Sequence, residues 1–290
     1  MNDFFSDKTF LDFFSPDEAQ IIQGKISLVE SIDSTNTFLM KESEKYFPLL
    51  SESGELTSSG KQFNFSLKAA ASQTKGRGRM GREFISPISS GIYFSIAYVK
   101  ETGICDPAMV TASVCTGICR AIEKTYGVEC KIKWVNDIYC NGKKVCGILT
   151  EGIINPAAGR IDGCVIGIGI NLRTNSAFDG ELKSKAGGIL DGLKEDAAFP
   201  CRAAFLAACY KEVKHLLVSG EDFMEDYKSR SLLTGRTVTV TPVIGDEKTS
   251  YTATVKGISD RAELVVELSD GTTRNLSSGE VSLHGTVINN

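Results

Sequence analysis

The sequence predicts an α+β protein, with a mixed or antiparallel sheet flanked by helices and followed by a small C-terminal β-barrel. Three observations carry this expectation. Runs of alternating apolar and small or polar residues, joined by tight turns, fill much of residues 65–172. A single long segment, residues 106–127, has apolar residues recurring every three and four positions. Beyond residue 235 only short alternating runs separated by Gly and Asp remain.

Taken in order, residues 1–25 read as a polar lead. "ISLVESIDSTNTFLMKESEKYF" is then a strand entering a helix, with Asp33, Ser34 or Thr35 available to cap the first turn. Residues 50–64, "LSESGELTSSGKQFN", are rich in Ser, Gly and Glu and read as a solvated insertion. "FSLKAAASQ" and "SSGIYFSIAYVK" are strands. The long helix follows, with Asp106 at its cap, Pro107 at its first position and Gly127 as its stop. In "VECKIKWVNDIYCNGKKVCGILTEGII" the Asn141-Gly142 dipeptide suits the left-handed dihedrals of a tight hairpin, and "RIDGCVIGIGINL" adds a further strand. Residues 201–230 hold two helical stretches. "GRTVTVTPV", "SYTATVKGIS", "AELVVELSD" and "TTRNLSSGEVSLHG" are the barrel strands, with the boundary between Leu233 and Gly235. The expected organisation is a lead (1–25), a catalytic domain (26–233) and a small C-terminal domain (234–290).

Composition excludes several classes. The net charge of −4 over 290 residues argues against a general binder of nucleic acid or anionic membranes. No apolar run reaches the roughly 18 to 20 residues that a membrane span requires, and the acidic N-terminal residues do not resemble a signal peptide. Nine cysteines without a CxxC pair fit a reduced, cytoplasmic setting. Only two histidines are present, His215 and His284, and neither sits near a nucleophile or carboxylate cluster, so histidine triads and zinc sites are poor expectations.

Against that acidic background stands "SQTKGRGRMGR", residues 72–82, with Lys75, Arg77, Arg79 and Arg82 interleaved with glycines. Glycines let backbone N–H groups turn toward one ligand, and guanidinium forks match phosphate or carboxylate oxygens. Nucleic acid is an alternative ligand for such a loop, although no aromatic residue is interleaved to stack on bases. A second element, "KWVNDIYCNGKKVCGIL", brings Lys133, Asn136, Asp137, Lys143 and Lys144 onto neighbouring strands. A lysine at the start of an apolar strand can aim its ammonium into a cleft, or simply snorkel to solvent. A third, "GIGIN" at residues 167–171, fails the dinucleotide fingerprint and reads as a strand that admits close approach of backbone or ligand.

Together, Ser34-Thr35-Asn36, Gln73 with the GRGRxGR loop from Gly76 to Arg82, the KWxND motif from Lys133 to Asp137, Lys144 to Leu149 and Gly167 to Leu172 resemble the biotin protein ligase family, the biotin--[acetyl-CoA-carboxylase] ligases and holocarboxylase synthetases. The resemblance runs over residues 26–290. It implies a class II synthetase-like catalytic fold with an SH3-like C-terminal barrel. It also implies activation of biotin by ATP to biotinyl-5′-AMP, with Mg²⁺, and transfer to one lysine of a biotin carboxyl carrier protein. Lipoate-type ligation is the neighbouring enzymatic alternative, and a non-catalytic nucleic-acid-binding module using the basic loop is the alternative from a different class.

The family's roles then fall on particular residues. Biotin binding is implied for Ser34, Thr35, Asn36, Gln73, Arg77, Gly78, Arg79 and Lys144. ATP or adenylate binding is implied for Gly76, Arg77, Arg79, Arg82, Trp134, Asn136, Lys144 and Asn171. Lys144 and Arg79 are the expected catalytic groups and Asp137 the expected metal ligand. Val135 stands where the family often has Pro, and Met80 where it often has a basic residue. With only about 25 residues before the ligase core and little basic charge among them, specific DNA binding is not expected; a homodimer is left open.

Overall fold

The structure is a computed structural model and describes residues 5–88, 90–193, 199–241, 250–277 and 280–283. Its principal sheet contains β1 (Ile26–Ile32), β2 (Leu67–Gln73), β3 (Gly91–Val99), β4 (Lys131–Lys133), β5 (Asp137–Cys140), β6 (Lys143–Asn155) and β7 (Arg160–Asn171). Their spatial order is β1-β2-β3-β7-β6-β5-β4. Only β1 and β2 pair in parallel, so the sheet is mixed, as expected. Asn141 and Gly142 both adopt positive φ, 48° and 71°, and turn β5 into β6.

The helices are α1 (Asp7–Leu11), α2 (Pro16–Ile22), α3 (Thr35–Ser43), α4 (Ser58–Phe63), α5 (Pro107–Tyr126), α6 (Gly180–Lys185), α7 (Arg202–Val218) and α8 (Met224–Ser229). The predicted punctuation of α5 holds. Asp106 Oδ1 accepts hydrogen bonds from the Ala108 and Met109 amides, and Gly127 at φ 67° ends the helix in the left-handed region. The period of two along the strands then decides which face each helix covers. Ile92, Phe94 and Ile96 of β3 and Ile166, Ile168 and Ile170 of β7 join one core with Val114, Ile118 and Ile122 of α5 and Phe205 and Leu206 of α7.

The opposite face is covered partly by Leu50 and Phe63 of the stretch expected to be solvated, together with the preceding Leu49. Leu49, Leu50 and Phe63 are at most 2% exposed and form a second core with Leu39, Ala97, Val99, Ile153 and Val165. The insertion is therefore a structural cover; its few apolar residues are scattered through polar text and carry no period. Residues 5–25 likewise are no detached lead. Ser6 and Ser15 cap α1 and α2 through capping boxes, Phe10 is fully buried against Tyr210 of α7, and Asp7 Oδ1 accepts from the Leu28 amide on edge strand β1.

The C-terminal unit is an antiparallel sheet of β8 (Thr237–Thr241), β9 (Tyr251–Ile258), β10 (Leu264–Glu267), β11 (Thr273–Leu276) and β12 (Glu280–Leu283), in the order β11-β10-β9-β8-β12. Ser278, Gly279 and His284 of the expected last barrel segment lie outside the described residues. The sheet's apolar face is continuous with the main core. A polar tie joins them as well: the Trp134 indole N–H donates to the Ala262 carbonyl at 2.8 Å.

Candidate active site

The site is built on a floor of bare backbone. In the β6–β7 register Gly147 pairs with Gly169 and Leu149 with Gly167. A Cβ at Gly167 would lie 2.3 Å from Asn36 Oδ1, and one at Gly169 would lie 2.5 Å from the Phe84 ring. Both distances are far inside van der Waals contact, so "GIGIN" needs its glycines to let Asn36 and Phe84 sit against the sheet. Above this floor opens a cavity of about 320 Å³.

One wall comes from the start of α3. Ser34 caps the helix, accepting from the Thr37 amide. The Thr35 amide and hydroxyl both donate to Gln73 Oε1, at 2.9 and 3.2 Å. Gln73 Nε2 in turn donates to Ser86 Oγ at 3.1 Å, and Ser86 Oγ donates to the Phe84 carbonyl at 2.8 Å. Buried Ser95 reaches Thr35 Oγ1 at 2.7 Å and Asn36 Oδ1 at 2.5 Å. Asn36 Nδ2 donates to the Leu149 carbonyl at 3.3 Å and to Glu151 Oε2 at 2.8 Å. Asn36, expected in the biotin-binding group as the support of this wall, commits its amide hydrogens to the protein and braces the wall.

The basic loop forms a hairpin over the cavity. Gln73 N donates to Ser86 O, Phe84 N to Gly76 O, and Gly78 N to Arg82 O at 3.0, 2.9 and 2.7 Å. The chain reverses at Met80 and Gly81, both with positive φ. The Gly78 amide is thus used within the hairpin rather than turned toward a ligand. Gly76, expected at the nucleotide, is not among the residues lining this cavity. A Cβ there would meet the Phe84 carbonyl oxygen at 2.2 Å, so this glycine permits the hairpin strands to close. Arg77 is engaged through both nitrogens of its fork by Glu151, at 2.7 and 3.2 Å, and Arg79 NH1 donates to Asn136 Oδ1 at 3.0 Å. Arg77, Gly78, Arg79 and Arg82 all line the cavity.

The remaining wall carries the second motif. Asn136 is fixed by donating Nδ2 to the Ile148 carbonyl at 2.7 Å. The Val135 carbonyl accepts from the Tyr227 hydroxyl at 3.0 Å, so this turn is held from α8. Lys144 Nζ lies 2.7 Å from Asp137 Oδ1, with the two side chains 31% and 21% exposed. Asp137 was expected to hold a metal; here it is the counterion of Lys144. Among the described residues no group of three His, Cys, Asp or Glu side chains is arranged to hold a metal ion. Asn171 is 5% exposed, lines the cavity, and its Oδ1 has no hydrogen-bond partner among the described residues. A buried acceptor left unpaired costs about 1–3 kcal/mol, so a ligand that donates there gains by it.

Sequence reasoning missed Phe84, Ser86, Ser95 and Glu151, and also Val281 and Ser282 of β12, which line the cavity from the C-terminal unit. The apolar Phe84 directly after the basic run was the one detectable signal. Burial pushes the thiols of Cys115, Cys146 and Cys209 well up from their ordinary range, which disfavours their thiolates as nucleophiles. No helix among the described residues is long and apolar enough to cross a membrane.

Comparison with known proteins identifies the family. Residues 28–171 match the model of the biotin/lipoate A/B protein ligase family, and residues 234–284 match the biotin protein ligase C-terminal domain. The bifunctional ligase/repressor BirA of Bacillus spizizenii is 28% identical over 228 residues, covering 75% of this chain and 66% of the relative. BirA of Escherichia coli is 32% identical over 155 residues, 53% of this chain and 42% of the relative. The chain thus spans about two thirds or less of these two relatives. Among solved structures, biotin protein ligase from Aquifex aeolicus in complex with biotin and ATP superposes with a TM-score of 0.69 at 23% identity, covering 90% of this chain and 99% of that one. The two domain matches, in the same order as the two sheets, establish that the chain is a biotin protein ligase-type member of the biotin/lipoate A/B protein ligase family.

Proposed function

We propose that this chain activates biotin with ATP to biotinyl-5′-AMP and transfers the biotinyl group to a lysine of a biotin carboxyl carrier domain. The observation that carries the reading is the order of groups along β6. The Leu149 carbonyl accepts from Asn36, the neighbour of Thr35 in the polar, uncharged wall that Thr35 forms with Gln73; Gly147 lies beneath Phe84, and Lys144 beyond it. Five residues of strand span roughly 16 Å, and the lysine reaches back so that its Nζ lies 3.4 Å from the Cβ position of Gly147. A ligand with a neutral hydrogen-bonding head, an apolar chain and a carboxylate matches that sequence of surfaces. The names of the relatives, including biotin--[acetyl-CoA-carboxylase] ligases of Paracoccus denitrificans and Mycobacterium tuberculosis, support biotin over lipoate and a carboxylase domain as acceptor.

The chemistry follows from charge. A biotin carboxylate oxygen attacks the α-phosphorus of ATP, the bond from that phosphorus to the bridging oxygen breaks, and pyrophosphate leaves. Two anions must approach for this, so Lys144 with Arg79 and Arg82 neutralises them and fixes the line of attack. The carrier lysine nitrogen then attacks the acyl carbon, AMP leaves, and the amine proton passes to solvent or buffer. Asn171 offers its unpaired oxygen to a ribose hydroxyl or adenine amine. The described residues do not make a protein-built metal centre, and Mg²⁺ would come with the nucleotide phosphates rather than on a cluster of side chains. The proposal divides the chain into a catalytic unit, residues 26–233, and a C-terminal unit, residues 234–290, whose Val281 and Ser282 complete the cavity. Incubation with biotin, ATP and a carboxyl carrier domain should add one biotinyl group to one carrier lysine, read by mass spectrometry. Absence of the adduct under conditions where the carrier accepts biotin from another ligase would refute it.

A further inference from the structure

We propose that Glu151 is a positioning residue that latches the basic loop to the ligand wall and sets how long an acyl adenylate stays enclosed; the proposal rests on the adenylation reading above. Glu151 follows Gly147 and Leu149 at intervals of two along β6, so all three belong to the face that floors the cavity. It does not itself line the cavity. Its carboxylate joins two elements that do. Oε1 accepts from Arg77 NH2 at 2.7 Å, while Oε2 accepts from Arg77 NH1 at 3.2 Å and from Asn36 Nδ2 at 2.8 Å. One acid side chain therefore ties the loop, the first turn of α3 and the floor strand at a single point.

The geometry separates retention from chemistry. The loop is held a second time by Arg79 on Asn136, beside the Lys144–Asp137 pair. Loss of Glu151 frees the wall-side clamp but leaves the groups around the reacting phosphate in place. The Arg77–Glu151 pair sits at the mouth, with side chains 47% and 23% exposed, where a bidentate charge-assisted bond is specific in direction yet can be broken on opening. A mixed anhydride survives only where water is excluded, so the strength of this clamp translates into lifetime of the intermediate.

The test uses the full chain and compares wild type, Glu151→Gln, Glu151→Asp, Arg77→Ala and the Glu151→Gln/Arg77→Ala double variant. Two readouts are needed: loss of preformed labelled biotinyl-5′-AMP in a chase, and tryptic cleavage between Lys75 and Arg82 in the unliganded protein. Glu151→Gln should speed loss of the adenylate about tenfold, a larger factor than its effect on maximal pyrophosphate exchange, and should speed loop cleavage similarly. Glu151→Asp should fall between it and wild type. The double variant should lose no more than Arg77→Ala alone, because both act through one contact. Equal adenylate retention by wild type and Glu151→Gln, or effects that multiply in the double variant, would overturn the assignment. A wild-type protein that forms no adenylate would refute the adenylation reading instead. In that case equal cleavage of the unliganded wild type and Glu151→Gln would still refute the latch.

Discussion

In the proposed reaction, replacing Lys144 with alanine removes one positive charge from the place where the carboxylate meets the α-phosphate. Deleting a single well-placed donor to a developing anion costs about 2.7–4 kcal/mol, or two to three orders of magnitude in rate. The structure adds a second component. Lys144 Nζ is 2.7 Å from Asp137 Oδ1, so its loss leaves a carboxylate uncompensated in the wall of an anion site. Two like charges about 4 Å apart at an effective dielectric near 20 repel by about 4 kcal/mol, and partial exposure of both side chains reduces that figure. Lys144→Ala should therefore lower biotin-dependent exchange of labelled pyrophosphate into ATP by about 10³–10⁴-fold, roughly tenfold of it from the uncompensated Asp137. The Lys144→Ala/Asp137→Asn variant should recover roughly tenfold of the loss by removing that repulsion. Circular dichroism and thermal melts would establish that the variants are folded. Exchange by Lys144→Ala within tenfold of wild type would refute the role of the lysine. A double variant no faster than the single one would refute the assignment of Asp137 as its counterion.

Two further outcomes follow from the site's construction. Gly169→Ala places a methyl group 2.5 Å from the Phe84 ring, so it should raise the KM for biotin and cost about 1–3 kcal/mol of stability by overpacking, measured by steady-state kinetics and denaturant titration. Asn171→Leu removes a buried acceptor that lacks a partner among the described residues; it should raise the KM for ATP about tenfold with the KM for biotin unchanged, and the melting temperature should stay level or rise.

The parts of the site that were legible in the sequence are local. The GRGRxGR loop, the KWxND turn and the Lys144 strand each place their groups within a few residues, and "GIGIN" announced close approach without saying by what. The structure supplies the answer as Asn36 and Phe84, which are 131 and 85 positions away from the glycines they touch. Glu151 was invisible for the same reason. A single glutamate in "LTEGI" has no pattern of its own, and its meaning comes from Arg77, 74 residues earlier. Ser95 read only as a small strand residue, yet its hydroxyl braces both Thr35 and Asn36.

The fold divided along similar lines. The elements of the sheet and α5 followed from period, caps and the Asn-Gly turn, because those signals reside within each element. The cover formed by Leu49, Leu50 and Phe63 did not, since three apolar residues set among Ser, Gly and Glu have no period to detect and are buried only because strands from distant sequence present Ala97, Ile153 and Val165 to them. The N-terminal residues were misjudged as a lead for a related reason. Capping boxes at Ser6 and Ser15 organise helices too short to stand alone, and packing of Phe10 on Tyr210 holds them.

The most direct test of the central claim is exchange of labelled pyrophosphate into ATP with Mg²⁺, run in parallel with biotin and with lipoate, since this half-reaction requires no carrier. Exchange that depends on biotin and is absent with lipoate is the expected result. Exchange with lipoate alone, or with neither acid, would contradict the account.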